Sequence, residues 1–204
     1  MDVIVSLFTI VFILSWLIPI LAIVIKLDSN GPVFFVQRRV GFLGKTFRCF
    51  KLRTMVVNNI SDEQQATSDD PRITRLGKFL RITSLDELPQ FFNVLIGDMS
   101  IVGPRPHMHT DNAHFRKMVA NYRLRYFVKP GITGMAQVRG YRGPTDTFYS
   151  IFHRYQWDAF YVRNASPSLD FRIMRITAKQ ILQSIFSFKS DFEKKSSFDL
   201  ASGG

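Results

Sequence analysis

The chain opens on an apolar run. Val3 to Ile25 holds no charged residue, and Ser6, Thr9 and Ser15 are its polar interruptions. As one unbroken helix it would reach about 34 Å, enough for a hydrocarbon layer of roughly 30 Å. Pro19 argues against a plain crossing, because a proline inside a helix removes a backbone bond and kinks it. Only about 24 Å of helix precede that kink. The pattern therefore predicts a re-entrant membrane helix over residues 1–27, with a simple transmembrane span as the alternative. A cleaved leader is not expected, since no basic n-region or small-residue cleavage site accompanies the run.

Past the Asn30-Gly31-Pro32 turn, Val33 to Val40 and Thr46 to Leu52 are rich in β-branched and aromatic residues and predict a β-hairpin closed through Gly41 to Gly44. Gly44-Lys45-Thr46 resembles the end of a phosphate loop, but Arg39 stands where its first glycine should be, and a strand follows. Residues 58–71 are polar and acidic, as in a mobile loop. Arg72 to Arg81 predicts a short amphipathic helix whose Arg72, Arg75, Lys78 and Arg81 recur every three residues. Beside a membrane anchor, such a stripe suits an interfacial helix under anionic head groups. Further helices are predicted over Leu85 to Ile96, His114 to Tyr126, Thr147 to Arg163 and Leu169 to Phe186, with a buried strand over Met99 to Val102 and a loop over Val128 to Gly143. Residues 190–204 are expected to be a disordered tail. The fold class is α+β, mainly α: the membrane helix 1–27, then one catalytic domain over 28–189.

The formal net charge of +11 favours polyanionic partners: nucleic acid, anionic lipid or a phosphorylated substrate. Twenty Phe residues exceed what one small core needs, so some are expected at the membrane interface. A lone Cys49 excludes an internal disulfide and any cysteine-rich zinc site. Lys26, Arg38 and Arg39 after the apolar run place the body in the cytoplasm.

The chemistry concentrates in Arg81-Ile-Thr-Ser-Leu-Asp86-Glu87-Leu-Pro-Gln90 and Gly103-Pro-Arg105-Pro106. Ser84 to Glu87 matches a capping box, and two acids at a helix start also complement its dipole. Pro89 is easily placed only in a first turn, which moves the cap towards Leu85 or Asp86. The sharper reading is catalytic. A carboxylate there with cations nearby is expected to have a lowered pKa and to act as a nucleophile, while its neighbour holds a divalent metal. Arg105, between two prolines, suits bidentate phosphate binding; the bland alternative is a surface arginine in a rigid turn. His107, His109 and His114 lack a zinc spacing and are assigned no metal.

These residues, with Gly31-Pro-Val-Phe-Phe-Val-Gln-Arg38, Phe50-Lys-Leu-Arg-Thr-Met55, Gly97 to Pro106 and Lys129-Pro-Gly-Ile-Thr-Gly134, resemble the bacterial sugar transferases, the monotopic phosphoglycosyl transferases, over residues 2 to about 186. The resemblance implies transfer of a sugar 1-phosphate from a UDP-sugar to undecaprenyl phosphate at the bacterial inner membrane, with release of UMP. It implies Asp86 as covalent nucleophile, Glu87 as Mg²⁺ ligand, and Lys51, Arg81, Arg105 and Asp170 as substrate-binding residues. It also implies a re-entrant helix broken near Pro19; Ile18 precedes it where some members carry Ser, so no hydroxyl is expected at the break. Arg142-Gly-Pro-Thr-Asp-Thr147 resembles the Arg-Gly-Glu-Thr-Asp-Thr stretch of members that use a neutral hexose, which favours UDP-glucose or UDP-galactose over an N-acetylated donor. The expected function is the first membrane step of polysaccharide synthesis, such as exopolysaccharide, lipopolysaccharide or capsule, with no nucleic-acid partner and room for a homo-oligomer. A membrane-tethered nucleic-acid-binding protein and a non-catalytic assembly scaffold are the competing classes.

Overall fold

The computed structural model describes the backbone of residues 1–58, 66–67, 70–143 and 147–202, and side chains up to residue 188. Helices dominate, around two small two-stranded sheets. The expected mobile loop over 58–71 lies mostly outside the described residues.

One helical run spans Asp2–Asp28, long and apolar enough to cross a membrane. It comprises α1 (Asp2–Thr9), a π-turn over Ile10–Leu14, and α2 (Ser15–Asp28), with Pro19 inside α2. The irregular turn lies one turn before the proline rather than at it, with the Ser15 amide bonded to the Ile10 carbonyl. Wide turns of this kind leave carbonyls without their usual amide. Side chains supply the donors: the Ser15 hydroxyl bonds to Val11 O at 2.6 Å and the Trp16 indole to Phe12 O at 2.9 Å. Pro19 itself lies inside α2, and the helical run continues through it.

Ser6, Leu14, Leu21 and Ile25 form the buried stripe of this run; Ile4, Phe8, Phe12, Trp16, Ile20 and Ile23 face outward. Both ends pack on the same body. The α1 segment lies against α4 (Gln90–Leu95), while Leu21 and Ile25 join Leu52 and Leu80 in one apolar cluster.

The predicted hairpin forms as β1 (Phe34–Val40) and β2 (Thr46–Leu52), antiparallel, with Phe35 opposite Lys51. The helix expected from Arg72 begins later, as α3 (Arg75–Thr83), because Thr74 caps it by accepting from the Gly77 amide at 2.9 Å. Its basic stripe divides. Arg72 precedes the helix and pairs with Asp70 at 2.5 Å, Arg81 turns inward, and Arg75 and Lys78 stay exposed.

The strand expected at Met99 is β3 (Ser100–Val102), and it pairs in parallel with β4 (Gly131–Thr133). That strand and α6 (Met135–Val138) occupy a stretch read from sequence as loop. The glycine-rich composition has a different cause: a Cβ on Gly131 would stand 2.1 Å from the Gly103 amide nitrogen. The helix expected over His114 to Tyr126 is instead α5 (His109–Met118) and a 3-10 turn, Tyr122–Phe127, broken by Asn121 in a left-handed conformation. Then come α7 (Phe148–Asn164), capped reciprocally by Thr147 and Ser150, and α8 (Pro167–Ser202). The α8 backbone stays helical through 190–202 where a disordered tail is expected; Glu193, Lys194 and Lys195 are good helix formers with no breaker among them.

Candidate functional site

The paired acids do not open a long helix. Ser84 adopts a left-handed conformation (φ 61°) that ends α3, and Leu85–Glu87 then form a 3-10 turn. Pro89 is the cap of α4, so the expected helix from Leu85 starts five residues late. The capping box is absent: Ser84 makes no side-chain cap, and its hydroxyl accepts from Arg142 at 2.6 Å. Freed from capping, both carboxylates line the cavity, where Asp86 is 8 % and Glu87 5 % exposed.

Asn93 fixes this turn against the hairpin. Its amide accepts from the Phe50 N–H at 2.9 Å and donates to Arg48 O at 2.6 Å, extending the β2 ladder with a side chain. Lys51, on the same strand, is thereby set beside Glu87 at 3.1 Å.

Glu87 is saturated with cations. Arg105 grips it bidentately, at 3.1 Å and 2.5 Å, and Arg142 stands 3.8 Å away. Arg105, Lys51 and Arg142 hold its carboxyl well below the usual range despite burial. Asp86 is the opposite case. Its carboxylate accepts no hydrogen bond from a described residue, and burial, then the Glu87 charge, push it up to about 6, against Lys51, Arg81 and Arg105. The expectation of a lowered pKa at Asp86 is corrected, because the nearest cations are spent on Glu87. At neutral pH, Asp86 is still mainly ionised.

Arg81 reaches the same cavity through Thr54, donating to its hydroxyl at 2.8 Å. Lys51, Arg81, Asp86, Glu87 and Arg105 thus surround one cavity of about 670 Å³. Asp170 does not join them. It accepts from the Tyr161 hydroxyl at 2.8 Å, with Asp2 nearby, and Tyr161 also donates to Val102 O, a link that ties α8 to β3. Residues 144–146, within the stretch expected to favour a neutral hexose donor, lie outside the described residues.

The turn that carries Arg105 is held by residues that the sequence reading missed. Arg125 donates to the Arg105 carbonyl at 2.6 Å and pairs with Asp158 at 2.8 Å, both buried. Arg39 donates to Pro106 O at 3.0 Å. His107 packs behind, its Nδ1 2.6 Å from both the Tyr122 hydroxyl and Arg125. Burial and four surrounding arginines hold the imidazole neutral. Isolated Arg, Asp and Tyr residues far apart in sequence carry no local signature of such a network.

Among the described residues no cluster of three or more metal-ligating side chains exists. Two adjacent carboxylates still suit a Mg²⁺ that takes its other ligands from phosphate oxygens and water. Such an ion would compete with Lys51 and Arg105 for the oxygens of Glu87.

The profile of the bacterial sugar transferases matches residues 1–184, nearly the whole described chain. The chain belongs to the bacterial sugar transferase family. Among relatives, it is 52 % identical over 164 residues to a UDP-glucose:undecaprenyl-phosphate glucose-1-phosphate transferase of Xanthomonas campestris pv. campestris, covering 79 % of this chain and 34 % of that one. A UDP-N-acetylgalactosamine-undecaprenyl-phosphate N-acetylgalactosaminephosphotransferase of Aeromonas hydrophila is 45 % identical, over 79 % of this chain and 38 % of its own. An exopolysaccharide production protein, PSS, of Rhizobium leguminosarum bv. phaseoli is 45 % identical over 75 % of this chain and 79 % of its own. This bacterial sugar transferase thus spans about a third of the length of the first two relatives and most of the third.

Proposed function

We propose that this chain transfers a hexose 1-phosphate from a UDP-sugar to undecaprenyl phosphate through an aspartyl-phosphosugar intermediate. The observation that carries the reading is the asymmetry of the two acids. Glu87 is paired with Arg105 and Lys51, which makes it the poorer nucleophile and leaves it to bind Mg²⁺ only in exchange for one of those contacts. Asp86 is buried, mainly ionised and, among the described residues, without a hydrogen-bond donor, which suits a nucleophile.

One Asp86 oxygen attacks the β-phosphorus, and the bond to the bridging oxygen breaks, leaving UMP with the electron pair. An oxygen of undecaprenyl phosphate then attacks the same phosphorus and releases the Asp86 carboxylate. Lys51, Arg81 and Arg105 offer charge to the phosphoryl oxygens during both steps. Glu87 would hold Mg²⁺ together with donor phosphate; when bound, that ion neutralises charge on the diphosphate.

The cavity continues into an apolar lip of Pro32, Phe34, Val56, Val57 and Ile82, where a lipid acceptor's first isoprene units would rest. A re-entrant anchor brings that lip to the bilayer. Both ends of the Asp2–Asp28 run lie on one folded body, and a helix crossing the membrane would put one end on the far side. Lys26, Arg38 and Arg39 favour a cytoplasmic body at the bacterial inner membrane.

The glucose-1-phosphate relative at 52 % identity and the Arg142 stretch favour UDP-glucose, with UDP-galactose next. The N-acetylgalactosamine relative at 45 % keeps an N-acetylated donor as the second reading. UMP release from each UDP-sugar, in vesicles containing undecaprenyl phosphate, tests the proposal. UDP-glucose should turn over with the native chain and fail with Asp86→Asn; full activity of that variant would refute it.

A further inference from the structure

We propose that Arg39, Arg154 and His107 form a second anion subsite of the cavity, one that receives the phosphate of the departing nucleoside monophosphate. The inference rests on the phosphosugar transfer proposed above.

All three residues line the cavity. Arg39 and Arg154 stand apart from the arginines already described, because neither forms an ion pair among the described residues. Arg39 donates to Pro106 O and Gln37 Oε1, and Arg154 to Gly143 O at 2.5 Å. The Nε atom of each is buried without a partner. Asp111 and Glu87 bear on Arg39, and Asp158 on Arg154, as neighbouring charges that form no ion pair with them among the described residues.

His107 adds an uncharged donor. Its Nδ1 accepts from Tyr122 and Arg125, so the ring proton belongs on Nε2, by the logic of the hydrogen-bond network. That Nε2 is buried and has no partner, in a residue 4 % exposed.

Buried guanidinium groups without a counter-ion are costly, and a buried N–H without an acceptor adds to that cost. Burial accordingly lowers both arginines, Arg154 to about 10. A bound anion in the cavity would supply the counter-charge that both arginines lack.

Charge identifies the anion. The donor carries two phosphates, and the transferred one must lie against Asp86, within reach of Lys51, Arg81 and Arg105. The hexose is neutral. The other phosphate gains a full negative charge when its bond to the β-phosphorus breaks. Preorganised cations aimed at that developing charge lower the barrier to departure.

The test is calorimetric titration of UMP, and separately of uridine, into the full chain in lipid nanodiscs. Arg39→Met and Arg154→Met should each weaken UMP binding at least tenfold and leave uridine binding within twofold. His107→Phe should weaken UMP by a smaller factor in the same direction. Where a Met variant melts early, Arg154→Lys replaces it and should bind UMP more weakly than the native chain with uridine unchanged. Native-like UMP affinity in the folded variants overturns this subsite and leaves the transfer reading standing. A native chain that binds neither UMP nor UDP-glucose overturns both.

Discussion

At the residue scale, the role proposed for Asp86 and the stability of the fold pull in opposite directions. Its folded pKa of about 6 lies above the ordinary aspartate value, so the ionised carboxylate destabilises the fold. The penalty begins as pH rises past the unfolded pKa and is complete above pH 6. Asp86→Asn in EDTA is therefore expected to melt higher than the native chain at pH 7 while losing turnover. An unchanged or lower melting temperature would contradict the burial argument. His107 has the reverse sign. Its folded pKa is depressed, so its contribution is present above about pH 6.5 and lost as pH falls, by about 1.4 kcal/mol per unit. Denaturant melts from pH 7.5 to 5 should show a smaller acid loss in His107→Phe than in the native chain.

At the element scale, Gly77 decides how Arg81 enters the cavity. A Cβ there would stand 1.9 Å from the Thr54 carbonyl oxygen, a backbone atom that cannot step aside. Helix propensity alone favours Gly77→Ala by about 1 kcal/mol. Overpacking against Thr54 costs about 1–3 kcal/mol and should win. The variant is expected to melt lower and to bind donor more weakly, since Thr54 is the residue that orients Arg81. A stabilised variant with normal affinity would show that α3 can slide freely.

The same scale shows what sequence could and could not reveal. The hairpin was legible because alternation and turn residues agree, and its bounds match to within one residue. Lys51, Arg81, Asp86, Glu87 and Arg105 were legible as a set because they cluster in short motifs. The start of α4 was not, because Ser84 and Glu87 satisfy a capping pattern that the left-handed Ser84 pre-empts. The pairing of β3 with β4 escaped because three-residue strands leave no periodicity to read. Asp170 stands apart from that set in the structure, bonded to Tyr161 of another helix, a long-range pairing with no local signature.

At the scale of the whole molecule, the amphipathic logic concerns one long helix against one body. A stripe through Ser6, Leu14, Leu21 and Ile25 docks, and the remaining apolar surface stays exposed, as the proposed membrane anchor requires. Trp16, 56 % exposed, should be strongly quenched by brominated acyl chains in a Trp157→Phe background. Cysteines placed at Asp2 and Asp28, with Cys49 replaced by Ser, should both react with an impermeant maleimide from the cytoplasmic face. Labelling from opposite faces would mean a spanning helix.

The proposed covalent bond between Asp86 and phosphorus is read most directly by intact mass spectrometry. Native chain mixed with UDP-glucose alone, without acceptor lipid, should gain the mass of one hexosyl phosphate, mapped by peptide fragmentation to Asp86. Full turnover with lipid, but no such species under any quench, would mean direct attack by the acceptor and would contradict the account.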